Sequence, residues 1–118
     1  MHQFKKLEIW KRSQEMCLKV YGITSDFPKS EMFGLQSQIR RSSVSIPSNI
    51  AEGTSRNSDK EFNRFIEITL GSAYELETQL IIANRLNYIE KSTFDSLSEE
   101  LNALIQMTMK FQTRLRAN

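Results

Sequence analysis

Apolar residues recur every three or four positions along most of the chain, which is the spacing of amphipathic helices. Four such segments are separated by turn-forming residues, with predicted bounds of about 4–25, 31–52, 59–86 and 93–116. The fourth segment has the most regular spacing, a heptad pattern typical of helical bundles. Its repeating residues are Phe94, Leu97, Leu101, Leu104, Thr108, Phe111 and Leu115. The pattern predicts one all-α domain over residues 1–118, an up-down-up-down antiparallel four-helix bundle.

Residues that cap or stop helices support these bounds. Ser30 is the predicted N-cap of the second helix, and Gly53 is placed to end that helix. Ser58 opens a capping box at the start of the third helix, and Asn87 is placed to close it in a left-handed conformation. Ser92 begins a second capping box before the fourth helix.

Two features interrupt the regular pattern. Pro47 lies inside the second predicted helix, where we expect a kink and not a break, because the apolar periodicity continues through Ile50. Gly71 lies in the middle of the third predicted helix, where glycine costs about 1 kcal/mol relative to alanine. That cost suggests close approach by another helix or by a large side chain such as Trp10.

The first predicted helix carries two apolar stripes, which indicates a wide buried face. Its second stripe contains Ile9, Met16, Val20 and Ile23. These residues are our candidate for a surface between copies of the chain, and packing in the core of one bundle is the equal alternative.

A polar stripe runs along the second predicted helix beside the apolar one. At 100° per residue its members face one direction; they are Gln38, Arg41, Ser45, Asn49, Glu52 and Arg56. One interpretation is hydrogen bonding to a neighbouring helix or subunit, with Glu75 as a structural partner. The other is a groove that contacts phosphate through Arg41 and Arg56. The residue types alone favour the first.

The net charge of +2 is small, but it is unevenly distributed. Residues 1–64 hold 11 basic and 7 acidic side chains, whereas residues 65–118 hold 5 and 7. The first half therefore permits a polyanion partner, although it lacks the dense basic patch of a dedicated nucleic-acid binder. Arg40 faces the flank opposite the polar stripe, where it could extend a basic surface with Lys60 and Arg64. The candidate nucleic-acid-binding residues are Arg40, Arg41, Arg56, Lys60 and Arg64.

The sequence offers little for catalysis or metal binding. Cys17 and His2 are the only residues of their types, so a zinc site lacks ligands and an intramolecular disulfide is impossible. We predict no catalytic residue, no metal and no cofactor, and therefore no enzyme. No apolar run is long enough to span a membrane, and we expect a cytoplasmic protein without a membrane partner.

The run Ser45-Ile46-Pro47-Ser48-Asn49-Ile50-Ala51-Glu52-Gly53, preceded by Arg40-Arg41, resembles the signature of the four-helix-bundle proteins called 23S ribosomal RNA intervening-sequence proteins. Further matches follow in the same order along the chain. They are Leu7-Glu8-Ile9-Trp10, Phe27-Pro28, Phe33-Gly34-Leu35, Gln38, Gly71-Ser72 and Glu75-Leu76-Glu77-Thr78-Gln79-Leu80. Thr69-Leu70 departs from the Ala-Arg expected there, which removes one basic residue.

This resemblance implies an up-down bundle that assembles into a homopentameric ring, in a family with no established enzymatic activity. The accessory variability determinants of diversity-generating retroelements are similar, and those proteins bind nucleic acid and a reverse transcriptase. Two hypotheses follow. The chain is either an oligomeric accessory factor that binds RNA or DNA, or a scaffold ring that docks a protein partner such as a reverse transcriptase.

Overall fold

The computed structural model describes residues 2–117, in which four long α-helices follow one another. Their bounds are α1 Glu8–Thr24, α2 Leu35–Thr54, α3 Asp59–Arg85 and α4 Lys91–Arg116. Each helix packs against the next, and α1 also contacts α4, so the four helices surround one core. Because the connections are short, consecutive helices are antiparallel. The predicted fold class, an all-α up-down-up-down bundle, is confirmed.

The core is formed by the predicted apolar stripes. Leu97, Leu101 and Leu104 of the α4 heptad pattern are 3% exposed or less. The second stripe of α1 is also part of this core, since Met16 and Val20 are at most 3% exposed. The alternative that this stripe lies between copies of the chain is therefore wrong. Because α1 packs between α2 and α4, it needs a wide apolar face inside a single bundle.

Two of the predicted helix starts are wrong. Ser30 lies in a short 3₁₀ helix, Lys29–Glu31, and α2 begins only at Leu35. Its first turn is capped from outside, because Glu31 Oε1 accepts a hydrogen bond from the Leu35 N–H at 3.1 Å. Ser92 lies inside α4, which begins one residue earlier. In both places a serine with the right spacing does not act as a cap.

The predicted caps of α3 are confirmed at both ends. Ser58 Oγ accepts the Glu61 N–H at 3.2 Å. Asn87 is left-handed, with φ of 65°. The Tyr88 N–H then donates to the Ala83 carbonyl at 2.9 Å, completing a Schellman motif.

Gly53 does not end α2, and this part of the prediction is wrong. The helix continues through Pro47 and Gly53 to Thr54. Gly53 is buried where α2 crosses the start of α3, and a Cβ there would lie 2.6 Å from Phe62 Cδ1 and 2.9 Å from Phe65 Cβ. Glycine is needed at this position because only a residue without a side chain lets the two helices approach so closely.

Gly71 has the opposite environment. A Cβ at Gly71 would meet no described atom within 4 Å, and the residue is exposed. The predicted close approach of Trp10 or another helix of the chain is therefore wrong. Within one bundle, glycine at this position gains nothing from packing.

Glu31 joins the start of α2 to the connection between α3 and α4. Its Oε2 accepts a hydrogen bond from the Tyr88 hydroxyl at 3.0 Å, while its Oε1 caps Leu35. The bond to the carboxylate raises the pKa of the Tyr88 phenol, because it stabilises the protonated hydroxyl. One side chain thus holds two connections at the same end of the bundle.

Replacing Glu31 by alanine should lower the free energy of unfolding by about 1–2 kcal/mol, since both a helix cap and an interhelical hydrogen bond are lost. Urea unfolding followed by circular dichroism measures the change. Tyr88→Phe is the matched control, because it removes one of the two bonds and should cost less. A Glu31→Ala effect no larger than that of Tyr88→Phe would contradict the capping role.

Candidate nucleic-acid interface

Arg40 holds α1 and α2 together and is not part of a wider basic surface. Its Nε donates to Thr24 Oγ1 at 2.9 Å, and its Nη2 donates to the Tyr21 carbonyl at 3.2 Å. The guanidinium also lies 4.5 Å from the centre of the Tyr21 ring. The predicted combination with Lys60 and Arg64 is wrong, because those residues lie at the opposite end of the bundle, in the first turns of α3.

The other candidate cations are exposed and differ in their partners. Arg56 pairs with Glu52 at 3.0 Å and lies over the Phe65 ring, and Arg64 pairs with Glu61. Arg41 and Lys60 have no ion-pair or hydrogen-bond partner among residues 2–117. The structure therefore places Arg56, Lys60 and Arg64 at one end of the bundle, and Arg40 and Arg41 towards the other end.

The polar stripe of α2 lies along the seam with α3. Ser45 Oγ and Ser72 Oγ are 2.8 Å apart, and the Asn49 amide donates to Ser45 Oγ at 2.9 Å. Next to the stripe, Ser42 Oγ donates to Gln79 Oε1 at 2.7 Å in a buried site. The centre of the stripe thus hydrogen-bonds to the neighbouring helix.

The partners on α3 differ from the expected one. Glu75 is exposed and makes no hydrogen bond or ion pair with any described residue, so its predicted role as a partner of the stripe is wrong. Ser72 and Gln79 occupy that role, one turn to either side. Gln38 and Arg41, at the start of the stripe, face solvent.

The strongest concentration of positive charge lies at one end of the bundle. At this end α1 and α3 begin and α2 and α4 finish. We call residues 2–12, 52–67 and 107–117 the basic end. They include ten basic and five acidic side chains, whereas the rest of the chain holds six and nine. Folding thus separates the charge along the bundle axis.

Each acidic side chain of the basic end is paired with a basic side chain, at a nitrogen–oxygen distance of 3.7 Å or less. These pairs are Glu8–Arg12, Glu52–Arg56, Asp59–His2, Glu61–Arg64 and Glu67–Arg116. Six exposed cations have no ion-pair partner among the residues that the structure describes. They are Lys5, Lys6, Lys11, Lys60, Lys110 and Arg114.

Three of these cations share one depression on the surface. Lys6, Lys110 and Arg114 line a cavity of about 250 Å³ between the start of α1 and the end of α4. Its apolar lining includes Ile9, which is buried, and Phe111, which is half-buried. This cluster was not predicted, because Lys6 lies about a hundred positions away from Lys110 and Arg114 in the chain.

Neither a metal centre nor a membrane-spanning helix is found in the described part of the chain. No three His, Cys, Asp or Glu side chains of residues 2–117 are grouped so that they could hold a metal ion. Within the same residues, no helix combines the length and hydrophobicity needed to cross a bilayer.

The fold and this charge distribution define an antiparallel four-helix bundle with a basic end. The model of the 23S rRNA-intervening sequence protein family matches residues 5–110, and the chain belongs to that family. Among solved structures, it is similar to a protein of unknown function from the S23 ribosomal protein family of Bacteroides thetaiotaomicron. The TM-score is 0.79 at 23% identity, over 88% of this chain and 97% of the other, which supports the fold. A search of curated proteins found no match.

Proposed function

We propose that this protein is a non-enzymatic, self-associating bundle that binds nucleic acid through its basic end. The observation that carries the proposal is the set of six exposed cations that have no acidic partner in the described chain. Three of them line one cavity, so they can contact neighbouring phosphates of one strand. The resemblance to accessory proteins that bind nucleic acid supports the same function.

The paired arginines add to this surface. Arg12, Arg56, Arg64 and Arg116 form ion pairs in which both partners are exposed. Such pairs contribute little to stability, so a phosphate can replace the carboxylate at low cost. Contacts of this kind read no base sequence, and we therefore propose sequence-independent binding.

Binding to labelled RNA and DNA, measured by fluorescence anisotropy over a series of salt concentrations, tests the proposal. Six phosphate contacts predict that log K falls with log salt with a slope of about −4 to −5. The slope is diagnostic, because counterions are released only where phosphates are neutralised. Absence of binding at low salt would reject nucleic acid as the partner and favour the scaffold hypothesis. A reverse transcriptase is then the proposed partner, on the basis of the resemblance.

The outer face of α2 and α3 is our proposed contact between copies of the chain. Ile68 and Ile82 of α3 are 50% and 44% exposed and lie on the flank next to α2, and Leu86, directly after the helix, is 49% exposed. Arg41 and Glu75 on the same face are both exposed and without a partner in the described chain. Exposed apolar area with one free charge of each sign suits contact with another copy of the chain, and in a ring of five it would face a different surface of the next copy, because cyclic contacts are heterologous.

Ile82→Lys should therefore break the assembly, which we propose to be a homopentamer. Light scattering should report a mass near that of five chains for the unaltered protein and of fewer chains for the variant. Ile81→Lys is the matched control, because Ile81 is 42% exposed but lies about 100° around α3. A monomeric unaltered protein, or equal dissociation of both variants, would contradict this assignment.

A further inference from the structure

The seam between α1 and α4 is open along its length. Three cavities of about 250, 550 and 430 Å³ lie along it. The first two share Glu8, and the last two share Lys19, Ser96 and Glu100, so the three cavities are neighbours along the seam. We call the cavities of about 550 and 430 Å³ the α1–α4 groove. The cavity of about 250 Å³ belongs to the basic end.

The groove has an apolar floor and acidic walls. Its accessible apolar lining includes Ala103, which is exposed, and Ile23, which is half-buried; Met16 and Leu104 also line the groove but are at most 3% exposed. On the walls, Arg12 and Lys19 are already paired with Glu8 and Glu100. Two further carboxylates, one on each helix, have no ion-pair partner among the described residues.

Glu15 on α1 and Glu99 on α4 are exposed and make no ion pair or hydrogen bond with the described residues. They stand on opposite walls of the same cavity. Their charge repels phosphate, so the groove suits a different partner from the basic end. The complementary ligand has basic side chains that reach both walls.

The dimensions of the groove favour a helix. The 17 residues of α1 span about 25 Å, so a ligand of matching length needs about 16 helical residues. Small residues on both walls, Gly22 on α1 and Ser96 and Ala103 on α4, leave room for a backbone to approach. An amphipathic helix places apolar side chains on such a floor and polar ones along its rims.

We propose that the α1–α4 groove binds a basic amphipathic helix of a partner protein. The apolar face of that helix packs on Ala103 and Ile23, and its lysines or arginines pair with Glu15 and Glu99. This inference goes beyond nucleic-acid binding, and it does not depend on the basic end.

A synthetic amphipathic peptide of about 16 residues, with leucines on one face and lysines on the other, tests the groove. Its binding to the full chain is measured by fluorescence anisotropy. A peptide of the same composition in scrambled order is the control for charge alone. We expect the amphipathic peptide to bind at least tenfold more tightly than the scrambled one, and equal binding would overturn the proposal.

Two variants locate the binding site. Glu15→Gln with Glu99→Gln should weaken peptide binding about fivefold to tenfold, whereas Glu67→Gln with Glu77→Gln, the same charge change on α3, should not. Ala103→Trp should abolish binding, because the indole fills the larger cavity without altering charge. Peptide binding that survives both groove variants would overturn the proposal.

The nucleic-acid experiment separates this inference from the proposed function. The Glu15→Gln, Glu99→Gln variant should bind RNA and DNA at least as well as the unaltered chain, since it removes negative charge. Loss of peptide binding with retained nucleic-acid binding supports two distinct surfaces. Simultaneous loss of both activities would indicate one shared site and overturn the groove assignment.

Discussion

Neutralising Lys6, Lys110 and Arg114 together should weaken RNA and DNA binding about a hundredfold. Each cation is exposed and free of an acidic partner in the described chain, so each is available for one phosphate contact. At about 1 kcal/mol for each contact, three contacts amount to two powers of ten in affinity. Glutamine is the replacement of choice, because it removes the charge and retains helix propensity. The salt dependence should also become shallower by about two to three units of slope.

The matched control neutralises three cations at the other end of the bundle. Lys29, Arg85 and Lys91 are also exposed, and among residues 2–117 only Lys91 has an ion-pair partner, Asp95 at the surface. Their triple glutamine variant has the same net charge as the first triple variant. It should keep its affinity to within about threefold. Equal loss in both variants would mean that binding follows net charge and not the basic end.

The largest expected effect on stability comes from a single methyl group at Gly53. Gly53→Ala should lower the free energy of unfolding by about 1–3 kcal/mol, because the new Cβ would lie 2.6 Å from the Phe62 ring. Phe62 is only 2% exposed and packs edge-on against Phe111, so it has little freedom to move. Urea unfolding at a fixed chain concentration measures the change.

Gly71→Ala is the control for helix propensity at a glycine in mid-helix. A Cβ there meets no described atom, so alanine should raise the free energy of unfolding by about 0.5–1 kcal/mol. Alanine should therefore lower the free energy of unfolding at Gly53 and raise it at Gly71. Stabilisation by Gly53→Ala would show that α2 and α3 are less closely packed than the structure indicates.

The bundle itself could be predicted from the sequence, because its information is local. The heptad spacing of α4 and the cap at Ser58 depend on residues within a few positions of each other. Prediction failed at the start of α2, where Glu31 and not its neighbour Ser30 supplies the cap, and Glu31 also accepts a hydrogen bond from Tyr88, 57 positions away in the chain. At the start of α2 the 3₁₀ helix places Glu31 to supply the cap, so Ser30 is not used.

For the polar stripe, periodicity predicted which residues of α2 share a face but did not predict their partners on α3. Spacing alone placed Ser45 and Asn49 on one face of α2. It did not identify Ser72 as the residue opposite, because the register between two helices depends on how their side chains interlock. Glu75, one turn away from Ser72, was the wrong choice for this reason.

The basic end was not predicted from the sequence, for a related reason. Lys6 and Arg114 are at opposite ends of the chain, and only the up-down path of the helices brings them together. The signal was available once that topology was predicted, since it places the start of α1 beside the end of α4. Charge counts for the two halves of the chain do not show the basic end, whereas charge counts for the two ends of the bundle do.

Lysine footprinting of the unaltered protein tests the central claim most directly. Each exposed lysine is modified with an amine-reactive reagent, with and without bound RNA, and the extent is read by mass spectrometry. We predict protection at Lys5, Lys6, Lys11 and Lys110 on RNA binding, with Lys29 unchanged. Protection of Lys29, with Lys5, Lys6, Lys11 and Lys110 still reactive, would contradict the account.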